Sequence, residues 1–167
     1  MGIPPELFDT NSSCCFTGHR SMREEDVSKV VHNISEEILR LRQLGVNRFF
    51  TGGALGFDMA AAITVINLRH QYPELSLSLA LPCRDHMLRW EQKQKNRFGK
   101  VMDRADEIIL VSDSAYENGC MMRRNRYMVD RSAYCIAWYD GRPGGGTRYT
   151  VKYAATRGRT VINIYGK

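Results

Sequence analysis

The chain has 167 residues, of which 43% are hydrophobic and 25% are charged. These proportions are typical of one globular domain, and they argue against a membrane protein because no apolar run approaches the ~20 residues of a membrane helix. The formal net charge of +6 favours an anionic partner, although solvated basic helix faces would produce the same excess.

Five cysteines are present, and none forms a Cys-x-x-Cys pair. An odd number of cysteines, with no basic region and apolar stretch over residues 1–13, predicts reduced thiols and a cytoplasmic protein. Neither the cysteines nor the histidines have the spacing of metal ligands, so we expect no metal site and no cofactor. We expect one domain over residues 13–167, preceded by an N-terminal extension over residues 1–12.

Short apolar segments alternate with segments of helical periodicity along the chain. The predicted strands are 14–17, 46–51, 75–81, 107–111, 133–139 and 160–165. The predicted helices are 24–44, 57–70, 85–105 with a break at Gly99, 120–131 and 147–157. This alternation predicts an α/β fold: a single Rossmann-like domain with a doubly wound, mostly parallel sheet of about six strands and helices on both faces. Strands that are apolar almost throughout, such as 107–111, are expected when both faces are covered.

The first predicted strand ends in the loop Gly18-His19-Arg20. Gly18 permits a tight turn, and the Arg20 guanidinium has the shape to hold a phosphate through two parallel hydrogen bonds. An ordinary turn with a solvated arginine fits the same residues. Because ligands of doubly wound sheets bind at the carboxyl ends of the strands, Gly18, His19 and Arg20 are candidate ligand contacts.

The second strand ends in a glycine-rich loop over residues 51–58. The loop lacks the G-x-G-x-x-G spacing of a dinucleotide-binding turn and the acidic residue about 20 positions later. Gly52, Gly53 and Gly56 would let backbone amides approach a phosphate or a ribose. Asp58 is either a favourable charge at a helix N-terminus or a partner for a ribose hydroxyl.

Charged residues follow the fourth strand. Asp113 and Glu117 precede the helix 120–131, where they are either candidate acids or simple turn residues. In that helix Arg124 shares a face with Tyr127 at helical spacing. This face fits either a ligand contact or a solvated basic surface.

The loop after the fifth strand, Gly144-Gly145-Gly146-Thr147, is the most informative segment of the chain. Three consecutive glycines lose much backbone freedom on folding, so they are expected where a ligand approaches the backbone closely. The loop precedes a helix, whose first N–H groups are unpaired and favour an anion. We expect Thr147 to be both the N-cap of this helix and a hydrogen-bond donor to a phosphate.

These segments resemble the SLOG superfamily of Rossmann-like domains, and most closely its YpsA-like branch. The resemblance covers residues 13–166 and depends on the loops 51–58 and 143–147 and on the helix 121–128. The last two are similar to the motifs P-G-G-x-G-T-x-x-E and M-x-x-R-K-x-x-M of the LOG phosphoribohydrolases. The resemblance places Arg124 at the LOG catalytic arginine. It places Thr150 where those enzymes have their catalytic glutamate.

The sequence therefore favours a binding protein for a nucleotide or a nucleotide-derived ligand. The alternative that the resemblance implies is an N-glycosidase, a phosphoribohydrolase of nucleoside monophosphates, in which Arg124 orients the substrate. Since Thr150 supplies no carboxylate, Asp58, Asp113 or Glu117 would have to supply one. A further alternative is single-stranded nucleic-acid binding, as in the related protein DprA, which is less favoured because few aromatic residues accompany the basic segments. We expect no membrane partner, and a homo-oligomer is compatible with the sequence.

Overall fold

A computed structural model describes residues 9–167, which form one six-stranded sheet and five α-helices. The strands are β1 (Ser13–Gly18), β2 (Arg48–Thr51), β3 (Ser76–Leu81), β4 (Glu107–Leu110), β5 (Tyr134–Trp138) and β6 (Thr160–Asn163). The helices are α1 (Glu24–Gln43), α2 (Phe57–Arg69), α3 (Gln92–Met102), α4 (Cys120–Asp130) and α5 (Gly145–Thr156). A 3-10 turn covers Thr10–Ser12, and the first eight residues of the predicted extension lie outside the described part of the chain.

The sheet is parallel throughout, with strand order β4-β3-β2-β1-β5-β6. From β1 the chain proceeds outward through β2 and β3 to β4, and it then returns to the other side of β1 with β5. The predicted α/β, doubly wound fold is therefore confirmed, and its switch point lies between β1 and β5. In sheets of this kind the crevice at the switch point, outside the carboxyl ends of the strands, is where ligands bind.

Alternating side chains of the strands pack into two cores, one on each face of the sheet. The larger core lies under α1, α2 and α3 and includes Phe16, Phe49, Ile34, Val65 and Phe98. The smaller core lies under α4 and α5 and includes Phe50, Cys135, Met128 and Ala154. Helices thus cover both faces, as the sequence predicts, and they hold the strand ends in fixed positions.

The fourth strand is less buried than its apolar sequence predicts. It forms an edge of the sheet and pairs only with β3. Ile109 packs against the smaller core, whereas Ile108 and Leu110 are 49% and 39% exposed. An edge strand has one neighbour instead of two, so the apolar run from Glu107 to Val111 is only half covered.

The segment 85–105 also departs from the prediction of a nearly continuous helix with a break at Gly99. Its first part forms turns, and α3 begins only at Gln92, where the Glu91 N–H donates to Oε1 of Gln94 at 2.9 Å. The helix then continues through Gly99 without interruption. No other group lies within 4 Å of the space beside Gly99, so nothing distorts the helix there.

All five cysteines are buried thiols without disulfide bonds. Between residues 9 and 167, no helix is both long and apolar enough to cross a bilayer. In the same part of the chain, no three histidine, cysteine or acidic side chains lie close enough together to hold a metal ion.

Candidate functional site

A cleft of about 370 Å³ opens at the switch point of the sheet. Four segments line it: residues 16–20 at the end of β1, Ala54 with Asp58, the first turns of α4, and residues 142–147 after β5. We call it the central cleft. It brings together Gly18, His19, Arg20 and Asp58 with Arg124 and the loop 144–147, all of which the sequence selects as candidates.

The N-terminus of α5 faces the central cleft with an open backbone. Gly144 and Gly145 have φ angles of 76° and 84°, a region that favours glycine, and no heavy atom lies within 4 Å of where a Cβ would stand on either residue. Among the described residues, no group accepts a hydrogen bond from the amides of Gly145, Gly146 or Thr147. These amides, at the positive end of the helix dipole, form a ready anion site.

The helix begins two residues earlier than the sequence predicts, and this corrects the role of Thr147. Gly144 is the N-cap, and Thr147 is the third residue of α5, with a nearly buried side chain. The predicted N-cap is therefore wrong. Thr147 still lines the cleft, from the first turn of the helix.

The glycines of the loop after β2 have a different environment from those of α5. A Cβ on Gly52 would stand 2.5 Å from the guanidinium carbon of Arg124, and one on Gly56 would collide with the carbonyl group of Arg20. A Cβ on Gly53 would stand 2.8 Å from the Phe98 ring. None of the three lines the central cleft. The space that they leave is filled by the protein itself.

Gly18 lines the central cleft, as the glycines of α5 do, and it is also packed closely against another part of the protein, as the glycines after β2 are. A Cβ on Gly18 would overlap the ring of Phe57 at the start of α2. The Phe57 N–H donates to the carbonyl oxygen of His19 at 3.2 Å, which joins the two loops. The end of β1 is thus packed directly on the N-terminus of α2.

Arg124 is a buried cation at the floor of the central cleft. Its side chain is 4% exposed, and its guanidinium donates to the carbonyl oxygen of Gly52 and, at 3.4 Å, to that of Ala80. Its Nε donates to Oδ1 of Asn125 at 2.8 Å. Burial lowers the pKa of Arg124, and the negative charge of Asp58 opposes this effect. The arginine holds the ends of β2 and β3 against α4 and places positive charge under the cleft.

Asp58 is the carboxylate of the central cleft. It is 6% exposed, and its Oδ2 accepts a hydrogen bond from the Ala54 N–H at 3.3 Å. Burial raises its pKa to about 6, although Arg124 and the Ala54 amide act in the opposite direction. A carboxyl group with this pKa can accept a hydrogen bond when ionised and can exchange a proton near neutral pH.

Two further cations lie at the rim of the cleft. Arg20 is exposed, and within residues 9–167 its guanidinium has no hydrogen bond or ion pair. Arg142, which sequence reasoning missed, forms a bidentate pair with Asp140, and this hydrogen-bonded pair lowers the pKa of Asp140. The signal for Arg142 was its position directly before the Pro143-Gly144 turn.

His19 connects the two strand ends at the switch point. Its Nε2 accepts a hydrogen bond from the Asp140 N–H at 3.1 Å, and its ring packs edge-on against Trp138. Burial lowers its pKa, although Asp140 favours the charged form. A neutral His19 that accepts at Nε2 carries its proton on Nδ1, so the ring positions the loop and keeps one donor.

The other predicted acids are not in the central cleft. Asp113 and Glu117 are exposed and form ion pairs with Arg84 and Arg123. Thr150 is fully buried in α5, and its hydroxyl donates to the Gly146 carbonyl oxygen at 2.8 Å. Asp58 is therefore the acidic side chain that lines the cleft, and the two loop acids lie outside it.

A second, small pocket of about 20 Å³ adjoins the central cleft. The two share Arg20, Ala54, Met121 and Arg124, and the pocket is closed on its other side by His86 and Trp90, among others. We call it the His86 pocket. No sequence pattern indicates a role for His86, because it lies in a segment of turns that helical periodicity predicts as a helix.

Comparisons with known proteins found a matching family model and several similar sequences. The family model YpsA, described as the YspA SLOG family, matches residues 14–164. The uncharacterized SPbeta prophage-derived protein YoqJ of Bacillus subtilis is 35% identical over 118 residues, which cover 64% of this chain and 68% of that protein. The UPF0398 protein BH1768 of Halalkalibacterium halodurans is 25% identical over 138 residues, which cover 82% of this chain and 73% of that protein.

Two solved structures share the fold. DNA processing protein A from Streptococcus pneumoniae superposes with a TM-score of 0.67 at 16% identity, over 93% of this chain and 50% of that protein. The Helicobacter pylori protein of the same name, described for its single-stranded DNA binding mode, gives 0.63 at 18% identity, over 94% of this chain and 66% of that protein. The present chain thus spans about half to two thirds of these two proteins, and the TM-scores show a shared fold.

Proposed function

We propose, from the premise that this chain belongs to the YspA SLOG family, that the central cleft binds a nucleotide or a nucleotide-derived ligand. The observation that carries the proposal is the open N-terminus of α5, where three unpaired amides face a cleft of about 370 Å³. The volume lies in the range of small-molecule sites. The solved DNA processing protein A structures support a nucleotide-related or nucleic-acid-related partner by analogy of fold.

The cleft residues divide into two groups in this proposal. The amides of Gly145 and Gly146 and the free guanidinium of Arg20 hold the phosphate, since charge-assisted and bidentate hydrogen bonds are the strongest available. Arg142 adds positive potential at the rim. Asp58, ionised above pH 6, accepts a hydrogen bond from a ribose hydroxyl on the opposite wall.

A thermal-shift panel tests the proposal. Ligands would include AMP, other mononucleotides, dinucleotides, cyclic nucleotides and ADP-ribose. A true ligand at about 100 times its Kd adds about 2.7 kcal/mol to the unfolding free energy, or roughly 5–10 °C in Tm for a chain of this size. A panel that leaves the Tm unchanged would refute the proposal.

A pair of arginine variants makes the test specific to the cleft. We expect Arg20→Ala to weaken binding of any ligand that raises the Tm in this panel by about 10- to 100-fold, because a charge-assisted hydrogen bond is lost. The matched control is Arg40→Ala, at the far end of α1, where the side chain pairs with Glu37. Equal effects of the two substitutions would place the ligand outside the central cleft.

The second candidate function is hydrolysis of the N-glycosidic bond of a nucleoside monophosphate. Asp58 favours it, because a buried carboxyl with a pKa of about 6 is suited to proton transfer. Thr150 and the distant positions of Asp113 and Glu117 count against it. Release of free base from AMP, abolished by Asp58→Asn while AMP binding persists, would establish this activity.

The third candidate function is the binding of single-stranded nucleic acid, which the net charge of +6 and the shared fold favour. It predicts that affinity falls steeply with salt, since each phosphate contact releases counterions. Weak and salt-insensitive binding of oligonucleotides would exclude it.

A further inference from the structure

The ring nitrogens of His86 are an anomaly in the described part of the chain. Both nitrogens are buried, and neither has a hydrogen-bond partner within residues 9–167. The Cys83 carbonyl favours the protonated ring but does not meet hydrogen-bond geometry with either nitrogen. Buried polar atoms are paired in the great majority of cases, so an unpaired set at a pocket wall suggests a partner that comes from outside the chain.

Aromatic rings hold His86 in place but give its ring nitrogens no hydrogen bond. His86, Trp90 and Phe98 pack edge to face, with all three centroid distances at 5.5 Å. Such packing fixes the imidazole plane and leaves both of its nitrogens unpaired. Burial, with Arg124 nearby, lowers the pKa of His86 to about 4, so the ring is neutral at pH 7 and offers one donor and one acceptor.

The His86 pocket is joined to the central cleft through side chains that can move. Arg20 is exposed and unpaired, and Met121 is a flexible thioether that contacts Arg124 at 3.8 Å. With these side chains in their present positions, the pocket of about 20 Å³ has room for little more than one water molecule. A displaced Arg20 side chain would open the pocket toward the site that we assign to the phosphate.

We propose that the His86 pocket receives the base of the nucleotide, with the base against Trp90 and one base edge hydrogen-bonded to His86. This inference rests on the proposed function of the central cleft and deepens it. A base edge carries donors and acceptors that match a neutral imidazole, and its flat apolar face matches an indole. Gly52 and Gly53 contribute the backbone wall of the pocket.

Comparison of AMP with ribose 5-phosphate isolates the contribution of the base. Both ligands carry the phosphate and the ribose, and AMP alone carries a base. We expect AMP to bind the wild-type protein roughly 5- to 100-fold more tightly, the range for one base stacked on an aromatic side chain. Calorimetric titration of the unmodified chain measures both affinities, and GMP, CMP and UMP then rank the bases.

Variants of His86 and a fluorescence measurement at Trp90 locate the base. His86→Ala should reduce AMP affinity toward that of ribose 5-phosphate without changing the affinity for ribose 5-phosphate, and His86→Gln, which keeps a donor and an acceptor, should restore part of the difference. His70→Ala, at an exposed histidine that follows α2, is the matched control. In a Trp138→Phe background, Trp90 is the sole tryptophan, and AMP but not ribose 5-phosphate should quench its fluorescence.

The outcomes separate the two proposals. If ribose 5-phosphate and AMP bind equally and Trp90 emission is unchanged, the base pocket is refuted and the phosphate site stands. If neither ligand nor any member of the nucleotide panel binds, both proposals fail. If His86→Ala weakens both ligands equally, His86 acts on the shape of the cleft and not on the base, which also refutes the assignment.

Discussion

Individual residues of the central cleft contribute opposite charges to a small volume. Arg124 is held by main-chain carbonyls, and Asp58 lies near it without a direct ion pair among the described residues. Burial disfavours the charged forms of both side chains, and their mutual attraction offsets part of that cost. The site is therefore sensitive to pH in a way that stability measurements can detect.

Replacement of Asp58 by asparagine should stabilise the ligand-free protein at pH 7.5. The pKa of Asp58 rises from 3.8 unfolded to about 6 folded, so the folded state binds the proton more tightly, and stability declines as pH rises through this range. The difference between the two pKa values corresponds to about 3 kcal/mol, a cost that the wild type has at pH 7.5 and largely lacks at pH 4, so the neutral variant gains stability over the wild type only at pH 7.5. Urea unfolding at both pH values measures the difference between variant and wild type.

The sign of the stability difference between Asp58→Asn and the wild type shows whether burial or the attraction to Arg124 has the larger effect on Asp58. His86 has a pKa lowered to about 4 and acts in the opposite direction over the same pH range, so the wild-type curve alone would hide the effect. The control is Asp113→Asn at the exposed pair with Arg84, which should change stability little at either pH. A less stable Asp58→Asn at pH 7.5 would mean that attraction to Arg124 outweighs the cost of burial.

Substitutions at two glycines should have opposite effects on stability. In Gly52→Ala the new methyl group would displace the Arg124 guanidinium from its carbonyl partners, and we expect a loss of at least ~2 kcal/mol. In Gly99→Ala the methyl group enters open space inside α3, and we expect a gain of about 0.5–1 kcal/mol. Thermal unfolding of both variants provides the comparison, and a neutral Gly52→Ala would contradict the close packing of Gly52 against Arg124.

At the scale of elements, the N-terminus of α5 should accept a negative charge from either a ligand or a side chain. Gly146 lies in the first turn without a positive φ, and the nearest atom to a Cβ there would be Nδ2 of Asn125 at 4.0 Å. We expect Gly146→Asp to raise the Tm of the ligand-free protein slightly, through the helix dipole, and to abolish phosphate binding. Gly146→Ala separates the charge from the methyl group, since it should share the gain in Tm and retain most of the binding.

A failure of this pattern would be equally informative. If Gly146→Asp binds AMP as the wild type does, the phosphate lies elsewhere in the central cleft. If Gly146→Asp lowers the Tm while Gly146→Ala raises it, the negative charge is unfavourable at this helix end, and the anion site that we propose is wrong.

The order of the helices and strands was predictable because hydrophobic periodicity, and the glycines at the ends of these elements, are local properties of the sequence. Every predicted strand and helix is present, and most boundaries agree within two residues. Helical periodicity predicts a helix over 85–90 because no local signal distinguishes this segment, whereas contacts with Phe98 and with the loop at Tyr116 fix its turns. The exposure of Ile108 was equally unpredictable, since it depends on which strand forms the edge.

The candidate site was predictable to a lesser degree than the fold. The strand ends that meet at the switch point follow from topology, so Arg20 and the loop 144–147 could be selected from the sequence. The contact between Arg124 and Gly52 spans 72 positions, and no local pattern indicates it. Residues that act through such distant contacts, His86 among them, emerge only when the chain is folded.

At the scale of the whole molecule, the number of phosphates that the protein contacts sets the salt dependence of binding, and the net charge of +6 adds a general attraction for anions. A cleft of about 370 Å³ accommodates one or two phosphates, so for a ten-nucleotide single strand we expect log K to fall with log salt at a slope near −1. Fluorescence anisotropy between 50 and 300 mM salt, roughly a twofold range of Debye length, measures the slope. A slope of −4 or steeper would indicate an extended nucleic-acid surface instead of a nucleotide pocket.

The contact between Gly52 and Arg124 restricts which residues members of the family can carry at these two positions. A relative that carries any other residue at the position of Gly52 cannot keep an arginine at the position of Arg124 in the same rotamer. The two positions should therefore change together across relatives, with a smaller or uncharged side chain at the second wherever the first gains a methyl group. Glycines 144 and 145 face open space and should show no such dependence on any partner.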